Sequence, residues 1–176
     1  MWLEASVTNN DPSAIAGYYC DCIKQVGGVP RIVRADEGTE NCNVAGIQYF
    51  FRRNGTDSFT GDKSFMYGRS VSNQRIEAWW SFPRKTNSDW WIKTLQGYSG
   101  RGHTVYCNSN PIHVECLKFC FMQLIQDELK HVAEHWNLHR IRPCRNSDSP
   151  AGRPDVLYFL PELEEVMDYS TPVPSD

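Results

Sequence analysis

Two carboxylates, Asp36 and Glu77, stand in segments whose composition suits metal-dependent chemistry. Asp36 lies in Arg34-Ala35-Asp36-Glu37-Gly38-Thr39-Glu40-Asn41, directly after the run Pro30-Arg31-Ile32-Val33. Glu77 closes Ser72-Asn73-Gln74-Arg75-Ile76-Glu77, with 40 residues between the two acids. Carboxylates gathered from distant segments repel one another unless a cation lies among them. Oxygen ligands of this kind suit Mg²⁺ or Mn²⁺. Two such ions about 4 Å apart would activate an attacking oxygen and stabilise a leaving one.

The elements around these residues must deliver them to one place. Pro30 to Arg34 reads as a short β-branched strand, and sites in open α/β sheets form at the carboxyl ends of strands. The Gly38-Thr39 turn leads to a helix from about Asn43 to Arg53, capped by Thr39 or Asn41 and closed by Asn54-Gly55. Thr56 to Ser72 reads as a short strand and then a mobile loop. Ser72 or Asn73 caps a second helix, in which Glu77 lies one turn in, with Asn73 at i−4 and Arg84 at i+7 near the same face. Laid across the sheet edge, that helix would bring Glu77 toward Asp36. Pro83 falls inside it, where a proline typically costs ~3 kcal/mol.

Upstream, Trp2-Leu3-Glu4-Ala5-Ser6-Val7 alternates like a half-buried strand. Asp11-Pro12 starts a helix that runs from Ala14 to Val26 and ends at Gly27-Gly28. Residues 97–112 read as an irregular insertion. Glu115 to Leu138 is the longest helix, with a stripe of Leu117, Phe121, Leu124, Ile125, Leu129, Val132 and Trp136, and Arg142-Pro143 follows as its stop. Strands alternating with helices predict an α/β fold with a partly parallel sheet.

At 176 residues, with 40% hydrophobic and 22% charged composition, the chain is long enough for one domain with a sizeable core. No apolar run reaches the ~20 residues that span a bilayer, so no membrane partner is expected. The first residues lack the pattern of a signal peptide, which predicts a nuclear or cytoplasmic address. The seven cysteines have no framework spacing and read as reduced thiols. Net charge is −3, but residues 161–176 hold five acids and no Lys or Arg. Setting those five aside leaves 18 basic against 16 acidic residues. Basic pairs at Arg31/Arg34, Arg52/Arg53 and Arg84/Lys85, and the group Arg140/Arg142/Arg145/Arg153, permit phosphate contact without demanding it.

Other clusters have plainer readings. Trp79, Trp80, Trp90 and Trp91 could stack on bases, but core packing of an amphipathic helix explains them better. Cys116, Cys120, His131 and His135 mimic a zinc-finger spacing. Within one helix, however, Cys120 and His131 stand about 16 Å apart at ~1.5 Å per residue, and they cannot share an ion.

Taken in order, several segments resemble the integrase core domain, the catalytic domain of retroviral and transposon Asp-Asp-Glu integrases. Arg34 to Asn41 resembles the segment carrying the second Asp. Tyr67-Gly68 with Ser72 to Glu77 resembles the loop and helix that supply the Glu. Asn137-Leu138-His139-Arg140-Ile141-Arg142-Pro143 resembles the stretch after the core's long helix, and Gly152-Arg153-Pro154 the closing Gly-x-x-Pro. The likeness is closest to the integrase-core-domain proteins encoded in animal genomes.

The resemblance implies a ribonuclease H-like mixed sheet flanked by helices over residues 1–160, followed by an acidic, loosely ordered tail at 161–176. It implies Asp36 and Glu77 as catalytic metal ligands, Mg²⁺ or Mn²⁺ as cofactor, and DNA as partner. Asn73, Gln74, Arg75, Arg84 and Lys85 are then the nucleic-acid-binding residues, and a homo-oligomer is allowed. The first Asp of the triad and its central strand have no counterpart after Met1. On that reading this transposon-derived polynucleotidyl transferase core is truncated, and by itself inactive in DNA strand transfer. The alternative is a domesticated, non-catalytic module that binds nucleic acid or protein partners.

Overall fold

The computed structural model describes residues 1–8, 10–68, 74–83, 88–99, 107, 109–143, 145 and 150–173; the side chains of residues 74, 75, 77, 78, 98 and 99 are left aside. The chain divides into two compact units, Met1–Val7 with Gln74–Glu134, and Thr8–Asn73 with His135–Asp176. It is a mixed α/β protein, rich in helix and with small sheets.

In the second unit, α1 spans Pro12–Val26. Asp11 caps it by accepting from the Ser13 amide at 2.9 Å, and Pro12 occupies the first turn, where its missing N–H costs nothing. Gly27 ends it in the left-handed region, at φ 73°, and returns its amide to the Ile23 carbonyl. Glycine enters that conformation without a Cβ penalty. Two strands follow, β1 over Gly28–Val29 and β2 over Val33–Ala35. A 3-10 turn at Thr39–Asn41 then opens α2, Cys42–Arg52, and β3 covers Phe65–Tyr67.

β2 and β3 pair in parallel, Val33 opposite Phe65 and Ala35 opposite Tyr67, with α2 as the crossover between them. Parallel strands need such a crossover. The core of this unit is Val44, Ala45 and Phe65, packed by Ile15 and Tyr19 of α1, Val33 and Ala35 of β2, and Tyr49 of α2. Gln48 is buried among them. Its Nε2 donates to the Pro30 carbonyl at 2.8 Å and the Ser64 carbonyl at 3.3 Å, and its Oε1 accepts from the Tyr19 hydroxyl. Pro30 and Ser64 precede the two parallel strands, so one amide fixes where both begin and hence where both end.

The stretch 161–173 is tied down. After α6, Pro154–Phe159, a 3-10 turn covers Pro161–Glu164. β4, Thr171–Pro172, then pairs antiparallel with β1. Arg52, only 4% exposed, donates to the Thr171 hydroxyl and to Asp57. Of the tail at 161–176, the described residues thus hold a 3-10 turn and the two-residue strand β4.

In the first unit, α3 spans Gln74–Pro83, α4 Asp89–Ser99 and α5 Pro111–Leu138, whose final turn from His135 is counted with the second unit. Trp79 is buried, and Trp91 packs edge-on against Phe121 with ring centres 5.9 Å apart.

Several sequence expectations are corrected. Residues 2–7 form no strand. Gln126 of α5 takes the place of a ladder partner, accepting from the Ala5 amide at 2.7 Å and donating to the Leu3 carbonyl at 3.1 Å. Pro83, by contrast, lies inside α3 as the sequence reading has it, at the last of that helix's described residues. The helix α5 begins at Pro111, because Asn110 caps it by accepting from the Ile112 amide at 3.0 Å. Its stripe is met in part: Val132 is buried while Leu124 is 51% exposed. The described residues hold two separate two-stranded sheets. No helix among them is long and apolar enough to cross a membrane. Cys20, Cys22, Cys42, Cys107, Cys116 and Cys120 are free thiols.

Candidate active site

The C-terminal ends of β2 and β3 form one edge. The Gly68 amide donates to the Ala35 carbonyl at 2.9 Å, extending the parallel ladder one residue past β3. Asp36 follows at once, and its side chain is exposed. The strand therefore carries the acid where the sequence reading expects it, at the sheet edge where sites of open α/β folds form.

Asn41 orients that carboxylate. Its Nδ2 donates to Asp36 Oδ1 at 2.9 Å, while no side-chain bond from Asn41 caps α2. The residue at the head of the helix thus turns its amide back across the Gly38-Thr39 turn. Glu40 folds over the same turn, where a Cβ on Gly38 would run into its carboxylate. Sequence reasoning treats Asn41 as a cap only. An amide five residues after the acid, across a Gly-containing turn, is the signal that identifies it.

Glu77 lies one turn into α3, with Gln74 and Arg75 at the head of that helix. Their backbone is helical, as the spacing predicts. Asn73, Arg84 and Lys85 lie outside the described residues. Asp36 belongs to the second unit and Glu77 to the first.

The donor set at Asp36 fits a hard divalent cation in type. One oxygen is engaged by Asn41, the other has no donor among the described residues, and carboxylate oxygen is the ligand Mg²⁺ prefers. No group of three His, Cys, Asp or Glu that could hold a metal occurs among the described residues.

The two later motifs also meet. Ile141 and Gly152 exchange backbone hydrogen bonds at 2.8 and 3.1 Å, joining the stretch after α5 to the Gly152-Arg153-Pro154 turn that opens α6. All four segments that carry the resemblance lie in order along one continuous match: the integrase core domain pattern covers residues 1–167. This chain belongs to the integrase core domain family. No curated protein and no solved structure matches it.

Proposed function

We propose that this integrase core domain derives from a DNA strand-transfer enzyme, and that Asp36 and Glu77 are its metal ligands. The observation that carries the reading is the position of Asp36 at the end of a parallel strand, oriented by Asn41, within a family match over residues 1–167. On this reading β2, α2 and β3 are two neighbouring strands and the crossover of a ribonuclease H-like sheet. Mg²⁺ or Mn²⁺, when bound, supplies an activated attacking oxygen and stabilisation of the leaving oxygen.

The chain's own residues do the rest. Asp36 presents its free oxygen to the cation while Asn41 holds the other. Glu77 comes from the first turn of α3. Gln74 and Arg75 of that helix, together with Asn73, Arg84 and Lys85, contact DNA.

Joining of DNA ends by the whole protein that contains this chain, in Mg²⁺, tests the reading. Asp36→Asn or Glu77→Gln is expected to abolish joining. Joining retained by either variant overturns the assignment of that ligand. Salt-sensitive DNA retention without joining by the unaltered protein supports the non-catalytic nucleic-acid-binding alternative instead.

A further inference from the structure

Four arginines of the second unit are engaged. Arg52 and Arg31 pair with Asp57, Arg153 pairs with Asp155, and Arg53 donates to the Phe50 carbonyl and stacks on its ring. The Arg34 side chain, like those of Arg140, Arg142 and Arg145, has no ion pair or hydrogen bond among the described residues. Its guanidinium nonetheless has a definite place, lying over Gly68. A Cβ built on Gly68 would stand 2.8 Å from Nη2 and 2.9 Å from Nε of Arg34.

The alternation of β2 places this cation beside the acid. Val33 and Ala35 face the core. Arg34 and Asp36 are exposed. Successive side chains of a strand point to opposite faces, so these two leave on the same face, about 6.6 Å apart along the chain at ~3.3 Å per residue. An exposed guanidinium with no carboxylate partner among the described residues, resting across the exit of the neighbouring strand, is open to an anion from outside. Its planar fork matches phosphate oxygens.

We propose that Arg34 is a phosphate-binding residue of this edge, taking a phosphodiester oxygen of DNA next to Asp36. The inference rests on the strand-transfer reading and deepens it. Gly68 is then required for space: its missing side chain leaves the seat in which the guanidinium lies. Gly68→Ala would push aside only the end of a flexible, exposed side chain, so it should displace the cation and leave the fold intact.

Fluorescence anisotropy of a labelled DNA duplex, titrated with this chain in EDTA across a range of salt, tests the proposal without requiring activity. For Arg34→Ala, the slope of log K against log salt is expected to shrink by about 0.9, the loss of one phosphate contact. Arg34→Lys should recover most of the slope. Gly68→Ala should weaken binding with an unchanged melting temperature. A wild-type slope in Arg34→Ala overturns the role of Arg34 and leaves the strand-transfer reading standing. An unaltered chain that retains no DNA overturns both.

Discussion

Gln48 bonds in three directions from a buried position, to Pro30, Ser64 and Tyr19. Replacing it by Leu keeps the volume roughly constant but strands two carbonyls and a hydroxyl. Each buried polar group left unpaired costs about 1–3 kcal/mol. Gln48→Leu should therefore lower the unfolding free energy by roughly 3 kcal/mol or more in urea titration, a large share of the stability of a domain this size. Tyr19 carries a pH signature of the same cluster. Burial first, then the neighbouring Cys22 and Cys20 thiols, hold its phenol above the ordinary value of 10.0. A raised folded value favours the protonated form, so this stabilisation is complete below about pH 10 and is lost as pH rises beyond it. Burial also pushes the Cys22 thiol above its ordinary 9.0, which starts the loss somewhat earlier. Tyr19→Phe should flatten the alkaline fall of the melting temperature above pH 10, where its own titration is removed. Asp36 was legible at this scale because a β-branched run ending in an acid is a local pattern. Gln48 and Asn41 were not, since the partners of the one are distant and the other doubled as a cap.

The helices were legible where their ends are written locally. Asp11-Pro12 and Gly27 set α1 as its caps require, and Asp11→Ala should cost about 1 kcal/mol by thermal unfolding. Asn110-Pro111 is an equally good start signal for α5, hidden in a stretch dense with turn residues. Strands of two or three residues are different, because their partners, not their composition, make them. Trp2 to Val7 alternates well, yet its backbone bonds go to the Gln126 side chain. Thr171–Pro172 has no strand-like pattern, yet it pairs with β1 and receives the Arg52 guanidinium. Thr171→Val removes an acceptor from a buried cation. Limited proteolysis with a Glu-specific protease should then cut at Glu162, Glu164 and Glu165 faster than in the unaltered chain, while the core around Gln48 stays protected. Equal cutting rates would show that β4 is not what holds this stretch.

At the scale of the whole molecule, the family pattern runs across both compact units. The second unit ends two parallel strands at one edge and sets Asp36 there, with Asn41 and Arg34 beside it. The first unit carries Glu77 on α3. The sequence order of these segments, rather than any single motif, made the family legible. The extent of the sheet was not legible, because strand pairing depends on contacts far apart in sequence. The central claim is the proposal that Asp36 and Glu77 are both metal ligands. Paramagnetic broadening of backbone amide resonances by sub-stoichiometric Mn²⁺ tests it directly. The expected result is selective broadening at Ala35–Glu37 and at Ile76–Ala78, lost at the first in Asp36→Asn and at the second in Glu77→Gln. Broadening confined to one of the two segments, or unchanged in Asp36→Asn, would contradict it.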